Sequence, residues 1–320
     1  MAKPLGHKPT ARGRARRDPA EVASGLLERA VSFQSQGRLI LAQSLCVRAL
    51  RILERTEGPD SPEVASALTT LGSIYEDRAQ YAEAEKVLLR SARILEHAEG
   101  DGDVQSLRVL SLIGLAGVYR TQGRYQEAEP LLQKTLTLAE KSFGPDDPQM
   151  SVVLNNFAVL YKYTGEFAKG ERLYRRALAI TEKALGAEHP DVATIYHNLG
   201  GLEHARGRFD QAEPYARRAV EIREKALGPR HPDVAADVAA WAAILDAQGR
   251  HDEAEPLYRR ALDVFESLLG QENHEVAVNL NNLAAMHSRF RSDINDIVGS
   301  KNRIFIVFHH YYSIAEVAER

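Results

Sequence analysis

Eleven histidines, one cysteine and 44 acidic residues are the raw material for chemistry in this chain of 320 residues. Spacing decides what they can do. His189 and His231 each stand in a Gly-x-x-His-Pro-Asp-Val stretch, 42 residues apart. Each opens a helix, so the pair reads as a loop-and-cap signature, too far apart to share a metal unless the chain bends sharply. His309-His310 has no acid or cysteine flanking it at ligand spacing. Cys46 lies between Ala42 and Ala49 on an apolar stripe and reads as a small core residue, not a nucleophile. Glu127, Glu171 and Glu253 fall on solvent-facing helical positions, and no two carboxylates stand out as an acid–base couple. G-x-S-x-G, a phosphate-cradling loop followed by Lys-Ser/Thr, and H-E-x-x-H are all missing. The expectation is no catalytic residue, no metal and no cofactor.

Composition points the same way. Hydrophobic residues make up 44% and charged residues 27%, normal for a folded soluble chain and too apolar for wholesale disorder. A single cysteine excludes an internal disulfide framework and a cysteine-based zinc site. The net charge of −3 hides a split. Residues 1–17 hold Lys3, Lys8, Arg12, Arg14, Arg16 and Arg17 without an acid, so 35 basic and 44 acidic residues remain, a net of −9. No apolar run approaches the roughly 20 residues of a membrane span, and the start lacks a secretory h-region. The chain is expected to be cytoplasmic, with an acidic body and a basic, disordered tail over 1–19.

The elements that carry these residues are repeats. Gly123-Arg124-Tyr125-x-x-Ala128-Glu129-Pro130 returns as Gly165-Glu166-Phe167-x-x-Gly170, Gly207-Arg208-Phe209-x-x-Ala212-Glu213-Pro214 and Gly249-Arg250-His251-x-x-Ala254-Glu255-Pro256, each 42 residues on. Ala79-Gln80-Tyr81 stands 44 residues before Gly123, and Gly37-Arg38-Leu39 another 42 before that. Gly144-x-x-x-Pro148 starts a second marker that keeps the same step through His189-Pro190-Asp191-Val192 and His231-Pro232-Asp233-Val234.

Each unit reads as two helices. Pro190 suits a first helical turn and Asp191 its positive end. Val192, Ile195, Leu199 and Leu202 then recur at helical spacing until Gly207, and Phe209, Ala212, Ala216, Ala219 and Ile222 form the stripe of a second helix closed by Gly228. Small residues recur at three fixed places, as at Ala158, Ala212 and Ala261, so paired helices can approach closely. Nothing alternates at period two inside the array. A lone hairpin of this size cannot bury its apolar face, but stacked neighbours can. The fold class is all-α: a superhelical solenoid of antiparallel helix hairpins, with about six full repeats and a partial seventh over 20–290.

The spacing of small, Tyr/Phe and Gly positions resembles the tetratricopeptide repeat. The 42-residue period, Asn155-Asn156-Phe157-Ala158, Ala-Glu-Pro-Leu/Tyr and Leu-Gly-x-x-His-Pro-Asp-Val look like the kinesin-light-chain variety. The resemblance covers roughly residues 20–290. It implies an array that binds partner proteins and gives no support for a motor role, because no long heptad stretch precedes the repeats. It also implies that the first helix of each repeat lines the inner groove. Asn281-Asn282-Leu283-Ala284-Ala285 begins the seventh unit, whose turn should fall at Arg291-Ser292 and is lost. Residues 291–320, with the strand-like run Ile304 to Phe308, are either a divergent cap or a foreign tail.

On that inner face the central positions are Arg120, Asn155, Lys162, Tyr163, His197 and His204, with Asn281 in the last unit; acids gather earlier, at Glu76 and Asp77. These seven residues are the expected peptide-binding groove. Asn155 and Asn281 offer a donor and an acceptor to an extended backbone; Asn156, Asn198 and Asn282 serve either the ligand or contacts between helices. Arg120 and Lys162 occupy equivalent places on adjacent repeats and favour a peptide bearing Asp, Glu or another carboxylate. The groove is no basic stripe, so nucleic acid is not expected as a partner, nor is a membrane. The function that follows is a non-enzymatic scaffold or adaptor. The alternative is a regulatory or sensing subunit acting in trans on a separate NTPase or protease.

Overall fold

The computed structural model describes residues 18–98, 100, 102–271 and 273–296. The expectations for the basic tail, for His309-His310 and for the Ile304–Phe308 run lie outside the described residues. Among those described, thirteen helices and no strand occur: α1 Pro19–Ser35, α2 Leu39–Thr56, α3 Pro62–Asp77, α4 Tyr81–His97, α5 Gly102–Thr121, α6 Tyr125–Phe143, α7 Gln149–Tyr163, α8 Phe167–Leu185, α9 Pro190–Ala205, α10 Phe209–Leu227, α11 Pro232–Ala247, α12 His251–Leu269 and α13 His274–Asp296. The chain is all-α, and the helices pair in sequence order as hairpins.

Local chemistry sets the helix boundaries. Pro62, Pro190 and Pro232 begin α3, α9 and α11, where the absent N–H has no partner to lose. Side chains just ahead of α3, α7 and α13 accept from their first backbone N–H groups. Ser61 Oγ accepts from Val64 N–H at 3.3 Å, Asp147 Oδ1 from Gln149 N–H at 2.8 Å, and Asn273 Oδ1 from Glu275 N–H at 2.8 Å. His189 and His231 hold the same register position, and each Nδ1 accepts from the N–H two residues on at 3.2 Å. Both histidines are therefore caps. Between the helices of a repeat, Gly207 sits at φ 75°, and Arg208 N–H reaches back to Glu203 O at 2.8 Å, closing the first helix. The equivalent residue in the second repeat is Ala79, held at φ 54° although it carries a Cβ.

Small residues let the paired backbones meet. Ala158, Ala212 and Ala261 are fully buried. A Cβ on Gly170 would lie 3.2 Å from Ala158 O, and one on Gly200 3.4 Å from Ala212 O. Large side chains fill the spaces between repeats, with Tyr174 and Tyr258 at 0% and 1% exposure.

Curvature follows from which helices touch. The first helix of each repeat contacts the first helix of the next, from α1 on α3 through to α11 on α13. No two second helices of adjacent repeats make such a contact among the described residues. First helices therefore line the concave side and second helices fan out on the convex side. The sweep is large: a Cβ on Gly37, in the first hairpin turn, would lie 3.7 Å from Asn273 Nδ2, at the start of the last repeat. Helix α13 continues unbroken through Arg291-Ser292 to Asp296, consistent with the missing turn signal. No second helix follows it among the described residues, so Ala284 is exposed where its equivalent Ala242 is fully buried.

Candidate functional site

Three residues before each interhelical turn, successive repeats present Glu76, Arg120, Lys162, His204 and Asp246 from α3, α5, α7, α9 and α11. This ladder runs acid, base, base, imidazole, acid along the inner face. Its centre holds two adjacent cations. The Arg120 guanidinium carbon lies 5.4 Å from the centre of the Tyr163 ring, and Lys162 Nζ 5.0 Å from the same ring. Arg120 is only 5% exposed. Burial, with Arg120 as a like-charged neighbour, pushes the Lys162 ammonium down to about 8. Burial, with Lys162 nearby, pushes the His204 imidazole down to about 4, so it is neutral at physiological pH.

Two acids belong to these surroundings: Glu76 interacts electrostatically with Arg120, and Asp237 lines the same cleft. Burial pushes the Glu76 carboxyl up to about 7 against the opposing pull of Arg120, and Thr121 Oγ1 donates to Glu76 Oε1 at 3.5 Å. Glu76 is thus near its titration point at neutral pH. Asp237, 2% exposed, is committed elsewhere. Its Oδ2 accepts from Arg223 Nε at 2.7 Å, and its Oδ1 lies 2.8 Å from His197 Nδ1. A carboxylate can only accept, so the proton of His197 sits on Nδ1. Arg223 also donates to Thr194 Oγ1 at 3.1 Å. A buried, multiply bonded ion pair therefore forms one wall of the central groove.

One cleft gathers Arg120, Asn155, Lys162, Tyr163 and His197, together with Asn198 and the Arg223–Asp237 pair. His204 lines the adjoining cleft, which shares His197 and Ala236 with the first. Asn281 lines neither cleft and is exposed. The three second-position asparagines behave differently. Asn198 Nδ2 donates to Asn155 Oδ1 at 2.8 Å, tying adjacent repeats, and it leaves Asn155 its amide N–H groups for other use. Asn156 bonds only back along its own helix, to Val152 O at 2.9 Å. Asn282 Oδ1 is buried with no hydrogen-bond donor.

Sequence reasoning missed Arg223 and Asp237, yet a signal existed. Ala67, Ser111, Val153, Ile195, Asp237 and Asn279 share one register position, and all are buried. A carboxylate there needs a partner, and Arg223 breaks the apolar stripe of α10 fourteen residues earlier. Cys46 is fully buried; its thiol donates to Ala67 O at 3.4 Å, and burial pushes it up to about 12. Among the described residues no cluster of three His, Cys, Asp or Glu side chains is placed to hold a metal, and no helix is long and apolar enough to cross a membrane.

Comparisons with known proteins agree with this architecture. The tetratricopeptide repeat profile matches residues 21–97, 107–183, 149–225, 191–237 and 234–293. No curated protein matches in sequence. Among solved structures, BtubC (BKLC) from P. vanneervenii is 22% identical with a TM-score of 0.57, covering 75% of this chain and 94% of its own. The nearly identical TPR-like repeats of a Podosopora anserina protein, described as a kinesin light chain, are 24% identical with a TM-score of 0.51, over 65% of this chain and 97% of that one. A Rap protein complexed with Competence and Sporulation Factor is 15% identical with a TM-score of 0.58, covering 84% and 76%. The profile spans nearly all of the helical array, so the chain belongs to the tetratricopeptide repeat family, with repeats of the 42-residue kinesin-light-chain-like kind.

Proposed function

We propose that this protein is a non-enzymatic scaffold or adaptor whose central groove binds carboxylate-bearing peptide segments of partner proteins. One observation carries the reading: Arg120 and Lys162, from adjacent repeats, bring like charges together over one tyrosine ring in a largely buried site. Like charges held close and desolvated are costly unless an anion joins them. Glu76 stands near its titration point at neutral pH, and Asp237 is engaged by Arg223 and His197. A ligand carboxylate between the two cations relieves their repulsion, and Asn155 N–H groups remain to meet a backbone carbonyl. The acids at both ends of the ladder argue against a polyanion such as nucleic acid tracking along the groove.

The candidates for catalysis are otherwise employed. His189 and His231 cap helices, His197 is fixed by Asp237, and Cys46 is an inert core thiol suited to the reducing cytoplasm. A similarly folded Rap protein is known in complex with a bound factor, which supports ligand capture by this architecture. The test is an array of acidic, basic and neutral peptides probed with the intact protein. Acidic peptides should rank first. Arg120→Glu with Lys162→Glu should lower their affinity by about tenfold to a hundredfold, since a hydrogen bond to a charged group contributes about 1.5–3 kcal/mol. A preference for basic peptides, or indifference to the double reversal, would refute the reading.

A further inference from the structure

Beside the cationic centre lies a second cleft of opposite character. Ala236, Ala239, Ala240 and Ala243 of α11 form an apolar wall, and α13 closes the other side with Glu275, Asn279 and Asn282. No lysine or arginine lines it, and Glu275 is its single acid. Burial pushes the Glu275 carboxyl up against the opposing pull of the neighbouring His274.

Two acceptors in this cleft are unsatisfied. Asn279 is 1% exposed and Asn282 8% exposed, and neither Oδ1 receives a hydrogen bond. The orientation of Asn279 is fixed, because its Nδ2 donates to Glu275 O at 2.9 Å; turning the amide over would set oxygen against oxygen. Asn279 also occupies the register position that is apolar in Val153 and Ile195 and that carries a fully partnered carboxylate in Asp237. A buried acceptor left without a donor is costly. Two of them beside a desolvated carboxylate, behind a wall of methyl groups, match one ligand chemistry: an alkyl shaft ending in a cationic hydrogen-bond donor.

We infer that the cleft between α9, α11 and α13 receives a lysine or arginine side chain of the bound peptide, with Glu275 countering its charge and Asn279 and Asn282 accepting from its N–H groups. The assignment rests on the proposed peptide-binding role of the groove and sharpens it. The two clefts meet at His197 and Ala236. The preferred ligand is then a segment with an acidic residue over Arg120 and Lys162 and a basic residue at a fixed offset from it.

Fluorescence anisotropy on the intact protein tests this. The probes are degenerate dodecapeptides with one fixed glutamate and a second fixed position walked along the chain, occupied in turn by lysine, arginine, norleucine or glutamate. Lysine or arginine should exceed norleucine by about tenfold or more at one offset. Glu275→Gln should remove most of that preference while the glutamate dependence stays. Asn282→Asp should raise the preference, a gain that misfolding cannot mimic. If the fixed-glutamate peptides bind and respond to reversal of Arg120 and Lys162, but norleucine ranks level with lysine or the preference survives Glu275→Gln, this assignment falls and the groove reading stands. If glutamate itself confers nothing and the double reversal changes nothing, the groove reading falls and takes this one with it.

Discussion

At the scale of single residues, function concentrates where charge is least comfortable. Lys162 keeps its proton less firmly than a free lysine because it is buried beside Arg120. Affinity for an acidic peptide should therefore fall as pH rises through about 8, where the ammonium is lost, and Lys162→Arg should flatten the profile because guanidinium stays charged. A titration of binding between pH 6.5 and 9.5 checks both, and an unchanged slope in the arginine variant would count against Lys162 as the titrating group. Glu76 gives a stability counterpart. Its folded pKa, about 7, stands above the ordinary 4.5, so the fold binds its proton more tightly than the unfolded chain does. Stability should be lost as pH rises from about 4.5 to about 7. Glu76→Gln should abolish that loss, worth roughly 1–3 kcal/mol, in urea melts compared at pH 5 and pH 7.5. Such residues were only half legible in the sequence. The repeat register put Glu76, Arg120, Lys162 and His204 on one face, but the depth of their burial comes from neighbouring helices that no single repeat encodes. The Arg223–Asp237 pair left a fainter trace: Asp237 falls on a register position that is buried from the second repeat onward, but its partner lies on a different helix, so the pairing itself is not encoded in either segment.

At the scale of elements, the fold was readable because each boundary has a local chemical cause that repeats every 42 residues: a cap, a proline, a turn glycine and a small residue at the helix crossing. Ala79 is an exception that tests the rule. It adopts the left-handed conformation its glycine equivalents adopt without a Cβ. Ala79→Gly should stabilise the protein by about 1 kcal/mol, the strain relieved exceeding the added freedom of the unfolded chain. Equilibrium denaturation would read this as a higher midpoint at constant slope; a lower midpoint would mean that the turn tolerates alanine without strain. Ala212→Leu probes the crossing itself. Ala212 is fully buried, and its carbonyl lies 3.4 Å from where a Cβ on Gly200 would stand. Extra methyl groups there should force α9 and α10 apart and cost about 1–3 kcal/mol, whereas a neutral result would show that the helices slide freely. The last element was the least legible. The loss of the turn signal after Ser288 announces that the hairpin pattern stops, but nothing in composition foretells that α13 continues as one helix to Asp296.

At the scale of the whole molecule, the array curls far enough for its ends to meet. A repeat solenoid is held together by nearest-neighbour interfaces, so its first and last units are ordinarily independent. Here the turn at Gly37 approaches Asn273, whose Oδ1 caps α13, which makes a non-local contact between units separated by five intervening repeats. No periodicity could have revealed this, because small rotations between repeats accumulate over the array and only their sum decides whether the ends meet. The contact is slight, so it should be populated and breakable rather than a permanent closure. Cysteines introduced at Gln36 and Gln271 flank it, and the native Cys46 is buried and does not compete. A short bis-maleimide should join the two new cysteines within one chain, giving a faster-running band in denaturing electrophoresis without dimers. A matched pair at Gln36 and Gln211, in the fifth repeat, should not join. Equal yields for the two pairs would mean that the curl seen at Gly37 does not persist in solution. If closure does persist, peptide binding across α5 to α13 should raise the cross-linking yield, because a ligand that spans successive first helices favours the conformation in which they are drawn together.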